Sequence, residues 1–380
     1  MDKQIGALTS LRGIMALIVV VHHFAYYTLP QTGKFLSSYS YFFRNGYLCV
    51  DFFFILSGFI MAYVYTNNFY RQVNKSDYWK YLRARFARIY PLHLFTLSVL
   101  VGIELVKLIT FGNAFTDKFN LTALVANIFL LQAFDLSCPP LFWCDTYWNE
   151  PAWSISAEFV IYTFSPFILY YISKLKSRQN LIFYVCTLLA LFLLIKFTRG
   201  NLDSIIGLPS IARCSLESVL GIITYKFYQR INYQNMVIPT AITIIALLWT
   251  GGVMHSWTDN YRGIHDWSIL PACSLLILAL SNQSHQSYRG LTKILNSRVL
   301  TYFGAISYSI YMVHWCLLEL LKTFWLSKGH SDFGQDLSLT QCSISLVIFL
   351  LVTILVSSMT YKFIEVPLRT YLKSYKRVPI

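Results

Sequence analysis

Long apolar runs alternate with short polar connections from residue 12 to residue 364. Ten runs stand out, at 12–27, 47–66, 90–111, 153–173, 181–197, 211–227, 236–254, 267–281, 301–324 and 341–364. Each is near the length an α-helix needs to cross about 30 Å of hydrocarbon. An eleventh stretch, 121–134, is shorter and reads as a crossing, a re-entrant piece or a buried interfacial helix. The pattern predicts an all-α, polytopic membrane protein of about ten transmembrane helices, forming one domain over residues 1–380. No internal repeat or low-complexity segment is visible, and no serine-hydrolase domain is expected after the last run.

Composition narrows the class. The 380 residues are 56% hydrophobic, 17% aromatic and 13% charged, with a mean hydropathy of +0.51. A soluble domain carries about 25% charged residues, so a soluble enzyme is excluded. A disordered chain and a nucleic-acid-binding domain are excluded too. The net charge of +14 informs only through its placement. One set of connections holds Arg71, Lys75, Lys80, Arg83, Arg85 and Arg88, then Lys174, Lys176, Arg178, Lys226, Arg230, Arg289, Lys293 and Arg298. The tail adds Arg369, Lys373, Lys376 and Arg377. The opposite set carries Asp117, Asp135, Asp145, Glu150, Asp203, Asp259, Asp266, Asp332 and Asp336. The positive-inside rule then puts the basic connections and both termini in the cytoplasm. A crossing at 121–134 would invert everything after it, so this stretch is expected to be a short helix within the outer loop 112–152. Lys3 ahead of an apolar run imitates a signal peptide, but Arg12, His22 and His23 interrupt the run and no small-residue cleavage site follows. Of eight cysteines, six sit in apolar stretches as small hydrophobes. No CxxC pair suggests zinc or redox chemistry, so no metal is expected.

Ionisable residues within the bilayer are costly and point to function by default. Some neutralise themselves locally. Glu104 and Lys107, Glu319 and Lys322, and Lys362 and Glu365 are spaced i,i+3, and Arg213 and Glu217 i,i+4, so each pair shares a helix face. Asp51 and Glu158 have no such neighbour and need a partner from another helix or water in a cavity. Arg12 and His23 are eleven residues apart, which puts them on one face about 16 Å apart. His23 then lies near mid-membrane, while His22 points about 100° away and reads as structural. Arg83, Arg85 and Arg88 open the third run, and their spacing fits lipid head groups or a phosphate clamp equally. Tyr308, Tyr311 and His314 recur at i,i+3 as a polar stripe, with His314 at a depth similar to His23. The resulting picture is a polar cavity with arginines at its cytoplasmic mouth, histidines midway and the carboxylates Asp51 and Glu158 toward the outside.

These residues occur in an order that resembles the acyltransferase-3 family of integral membrane acyltransferases over nearly the whole chain. The elements are Leu11-Arg12-Gly13 followed by His23, then Val50-Asp51 through Ser57-Gly58-Phe59, then Arg85-x-x-Arg88 with Ile-Tyr-Pro. Trp153-Ser-Ile-Ser-Ala-Glu158, Ser307-Tyr308 through Tyr311 to His314, and Glu365-Val-Pro-Leu-Arg369 complete the series. Cys49 departs from the glycine common before Val-Asp, and Phe159 follows the glutamate. The resemblance implies a bacterial inner-membrane enzyme with an acyl-CoA donor, acetyl-CoA foremost, and a hydroxyl of an extracytoplasmic carbohydrate or glycolipid as acceptor.

It further implies that Arg12, Arg85 and Arg88 hold the donor phosphates. His23 would act as general base or as a covalent relay. Asp51 or Glu158 would orient an imidazole or bind the sugar. Tyr311 and His314 would line the acyl path or stabilise the oxyanion. Trp153, Ser57 and Trp148 are expected on the acceptor side. The outer loop also carries Phe142, Trp143 and Tyr147, which fit a saccharide platform or an interfacial aromatic belt. Cys138 and Cys144 there leave a disulfide and two free thiols both open. The rival reading is a transporter or glycolipid exporter, which would also bury carboxylates and histidines.

Overall fold

The computed structural model describes residues 5–134, 147–198, 200–203, 207–231, 237–257, 261–281, 289–329 and 337–374. Every regular element among them is helical. In chain order these are α1 (Gly6–Tyr27), α2 (Pro30–Tyr39), α3 (Cys49–Phe69), α4 (Lys75–Phe111), α5 (Leu121–Ile128), α6 (Ala152–Ser173), α7 (Ser177–Phe197) and α8 (Leu208–Tyr228). There follow α9 (Val237–His255), α10 (Arg262–Leu280), α11 (Arg289–Leu295), α12 (Arg298–Ala305), α13 (Ser307–Ser327), α14 (Leu339–Thr360) and α15 (Val366–Ser374). Each of the ten apolar runs meets one of these helices. Seven helical stretches among the described residues are long and apolar enough to cross a membrane, and eight are if the bent pair α12–α13 counts as one span. The chain is therefore a polytopic, all-helical membrane protein. Its outward faces agree: Ile344, Val347, Ile348, Leu351 and Leu355 on α14 and Leu181, Val185 and Leu189 on α7 are all more than half exposed. Bare apolar stripes of that kind suit lipid.

Three boundaries differ from the sequence pattern. The third run begins fifteen residues early, because the Asn74 side chain accepts from the Asp77 amide at 2.9 Å and starts α4 at Lys75. Arg83, Arg85 and Arg88 therefore lie inside a helix, not ahead of one. The ninth run breaks at Ile306, where α12 and α13 meet at 62°. The short stretch 121–134 is helical only to Ile128, after which Leu130 takes a left-handed φ of 56° and a 3₁₀ turn follows at Gln132–Phe134.

Two glycine contacts set the helix spacing. A β-carbon on Gly58 would run into the backbone of Ser218, and one on Gly221 into the carbonyl of Ile55, so α3 and α8 cross with their backbones in contact. Gly13 and Gly304 play the same part between α1 and α12. The local ion pairs are partly redistributed. Lys107 reaches Glu104 at 2.7 Å as the spacing predicts, but Glu319 pairs with Lys118 at 3.3 Å and Glu365 with Arg369 at 3.6 Å. Lys322 and Lys362 instead lie over the rings of Trp315 and Phe363, so these two predicted pairs do not form.

Candidate functional site

A cavity of about 260 Å³ runs between α1, α3, α4, α6 and α13. Its wall follows α3 from Val64 to Val50, a path of about 21 Å at 1.5 Å per residue. At one end stand Arg12, Arg85, Arg88 and Lys373; Ser57, Glu158 and Tyr162 line the middle; Phe53, Ser154 and Tyr311 close the far end. The shape is long and thin, with its cations gathered at one mouth.

Two of the arginines, Arg12 and Arg85, are held by their local fold. Arg12 donates through Nε to Ser307 Oγ at 2.9 Å and through Nη2 to the Gly304 carbonyl at 2.7 Å. It thereby braces the α12–α13 corner, where a helix ends with its carbonyls exposed. The glycine contact between Gly13 and Gly304 is what brings α12 within reach of this guanidinium. Arg85 donates through Nη2 to Tyr65 Oη at 2.8 Å and sits among the rings of Tyr65, Tyr81 and Tyr162, at 5.1, 5.9 and 5.8 Å. Its buried Nε has no acceptor among the described residues. Glu158 accepts from Ser57 Oγ at 2.5 Å and from Tyr162 Oη at 2.7 Å.

Beyond the closed end lie the two histidines. Tyr311 is fastened to Ser154 Oγ at 2.9 Å and donates to the Pro151 carbonyl at 3.2 Å. The Phe53 ring meets the Tyr311 ring edge-on at 6.0 Å, and together they form a septum. One turn further along α13, the His314 ring is 6.2 Å from Tyr311, and His314 Nε2 lies 2.8 Å from His23 Nδ1. Neither histidine lines the cavity. His314 Nδ1 is 3.0 Å from the Ile310 carbonyl. A carbonyl only accepts, so Nδ1 of neutral His314 carries the proton and its Nε2 accepts. His23 Nδ1 must then donate, which leaves the lone pair on His23 Nε2. His314 is fully buried and His23 only partly so. The pair is therefore a base whose reactive nitrogen is fixed by a main-chain carbonyl two steps away.

The sequence profile of this family, described as an acyltransferase domain, matches residues 5–362. The chain belongs to the acyltransferase-3 family. Among its relatives, an acyltransferase named MdmB from Streptomyces mycarofaciens is 27% identical over 352 residues, covering 88% of this chain and 82% of that protein. The O-acetyltransferase OatA of Staphylococcus aureus is 21% identical over 381 residues, covering 97% of this chain and 57% of its own length. Protein 2 in the picA locus of Rhizobium radiobacter is 32% identical over 95 residues, which cover 25% of this chain and 43% of that protein. No solved structure matches.

Within this acyltransferase-3 fold, the motif residues divide between cavity, pair and core. Arg12, Arg85, Arg88, Ser57, Glu158 and Tyr311 line one cavity. Glu158 stands on the arginine side of the septum, not beyond the histidines. Asp51 is elsewhere: Arg213 grips its Oδ1 through Nη2 at 2.6 Å and Nε at 2.9 Å, with Glu217 at 3.4 Å and the Leu202 carbonyl at 2.8 Å completing the network. Trp153 lies under that guanidinium, 5.5 Å from it, and is absent from the cavity wall. Trp148 is fully buried against Phe119 and Tyr147 nearly so, so neither offers a face for a sugar. His22 bonds the Phe43 carbonyl at 3.0 Å, the structural part expected of it. Cys138, Cys144, Phe142 and Trp143 lie outside the described residues. Sequence reasoning missed Tyr65, Tyr162 and Lys373. Tyr162 was within reach of it, four residues after Glu158 and so on the same face.

Proposed function

We propose that this protein transfers a short acyl group, acetyl foremost, from cytoplasmic acyl-CoA to a hydroxyl of a carbohydrate or glycolipid outside the cytoplasmic membrane of a bacterium. In this reading the chain crosses ten times with both termini inside, and the basic end of the cavity faces the cytoplasm. The observation that carries it is the histidine pair, with its free Nε2, beyond the closed end of a narrow cavity that has arginines at its mouth.

The residues suit the donor. Guanidinium forks match phosphate oxygens, and the buried Arg85 Nε without an acceptor is a donor ready for one. Arg88 adds a second fork and Lys373 an ammonium on the cavity wall. A pantetheine arm is long and thin, as the cavity is. Transfer then needs one proton moved twice. His23 Nε2 takes the proton of the acceptor hydroxyl as its oxygen attacks the thioester carbonyl. The C–O bond forms, the C–S bond breaks, and the same proton goes to the departing thiolate. His314 accepts the Nδ1–H of the resulting imidazolium, a charge-assisted bond. Tyr311 and Phe53 must swing aside for the thioester to meet His23. Asp51, clamped by Arg213, would hold α3 against α8 and take no part in the chemistry.

The test is radiolabel transfer from acetyl-CoA in proteoliposomes, with cell-envelope glycan as acceptor. Wild type is expected to label the glycan. His23→Ala is expected to lose at least about 10²-fold, the scale of a general base, while still binding acetyl-CoA. Full activity in folded His23→Ala protein would end the proposal.

A further inference from the structure

On the far side of the septum, Trp315 and Tyr27 flank His23, and two lysines lie over the Trp315 ring. Trp315 is 4% exposed and meets the His23 ring edge-on at 5.5 Å. Lys118 Nζ stands 5.0 Å and Lys322 Nζ 5.4 Å from the centre of the Trp315 ring. Tyr27, 57% exposed, packs its ring edge against His23 at 5.7 Å. Lys118 is neutralised by Glu319 at 3.3 Å, and the nearby Lys107 by Glu104 at 2.7 Å. Lys322 makes no ion pair among the described residues and lies over the same Trp315 ring that meets His23. The indole Nε1 of Trp315 is buried and has no hydrogen-bond acceptor among the described residues.

A cation without a counter-ion and a buried donor without an acceptor are both costly as they stand. Both costs are removed by the same ligand group, an anion with oxygen acceptors. The partly exposed Tyr27 ring against His23 offers an apolar face to a sugar. We propose that this cluster is the acceptor subsite and that it takes a sugar bearing a carboxylate or phosphate close to the hydroxyl that is acylated. The proposal rests on the acyl-transfer reading and names its acceptor class. The Lys322 ammonium binds the anion, Trp315 donates to it, and the hydroxyl meets His23 Nε2.

The test reads binding without requiring turnover. Protein in nanodiscs is examined by saturation-transfer NMR with methyl β-glucuronoside, methyl β-glucoside 6-phosphate and neutral methyl β-glucoside. Wild type is expected to give at least about fivefold more transfer to one or both anionic glycosides than to the neutral one. The ratio between the two separates carboxylate from phosphate as the preferred group. Raising the salt to about 1 M should weaken only the anionic signals. Lys322→Gln should bring the anionic signals down to the neutral level, and Lys322→Arg should restore them. Equal binding of all three glycosides, no binding of any, or unchanged discrimination in Lys322→Gln would each overturn the proposal. Acetyl-CoA binding at the opposite mouth, measured on the same samples, verifies the fold of each variant. If wild type binds no acetyl-CoA yet discriminates the anionic glycosides, the acyl-transfer reading fails and the anion site stands.

Discussion

The two histidines do different jobs because of one carbonyl. Ile310 sets the proton on His314 Nδ1, His314 sets it on His23 Nδ1, and the lone pair is left at His23 Nε2. Replacing His314 should therefore damage transfer without touching the donor. His314→Ala is expected to lower single-turnover transfer by about 10²- to 10⁴-fold, the scale seen when a base loses the group that fixes its tautomer. His314→Gln keeps an amide oxygen able to accept from His23 Nδ1 and should fall less. Equal losses in the two variants would count against the tautomer argument. At this scale much was legible. His23 and His314 stood out as imidazoles in apolar runs, and the partner of His314 Nδ1 is a carbonyl four residues back on the same helix. The contact between the rings was not legible, because residues 291 positions apart meet only once α1 and α13 are packed. The same holds for Ser57 and Glu158, which face each other across two helices.

Asp51 shows how helix pairing redirects a charge. Arg213 and Glu217 are spaced to pair along α8, and they do so at 3.4 Å, but Asp51 from α3 takes the shorter contact at 2.6 Å. The crossing is close because Gly58 and Gly221 lack side chains, and neither glycine announces its partner in the sequence. Breaking one side of a buried pair leaves the other charged and unsolvated, at a cost of about 3–5 kcal/mol. Arg213→Met, which strands Asp51 and Glu217 together, should thus lower the thermal midpoint in detergent strongly. The triple change Asp51→Leu, Arg213→Met, Glu217→Leu should recover most of the loss, since it leaves no buried charge behind. A triple variant less stable than the single one would mean that Asp51 does more than join α3 to α8. The sequence also misjudged α4 and the α12–α13 bend. A cap at Asn74 extended one helix, and a corner braced by Arg12 broke the other; both depend on contacts that hydropathy does not report.

Taken whole, the molecule sets the arginine-lined cavity on one side of the Phe53–Tyr311 contact and the cluster of His23, Tyr27, Trp315 and Lys322 on the other. The basic connections, the apolar runs and the helical class were all plain from the sequence. The placement of Glu158 relative to the histidines was not, because depth along a helix says nothing about which side of a septum a residue faces. A bacterial membrane holds a voltage of order 100 mV, worth about 2.3 kcal/mol for each charge that crosses it. Two wet funnels that met at an imidazole pair would shuttle protons down that gradient. On the proposed reading, the Phe53–Tyr311 contact would also be electrical insulation. Proteoliposomes carrying Phe53→Ala with Tyr311→Ala, given a potassium diffusion potential, should acidify or alkalinise several-fold faster than wild type. Adding His23→Ala to the pair should slow the leak again. If the proposed transfer across the membrane holds, the enzyme has to open for a thioester and stay shut to the proton it moves.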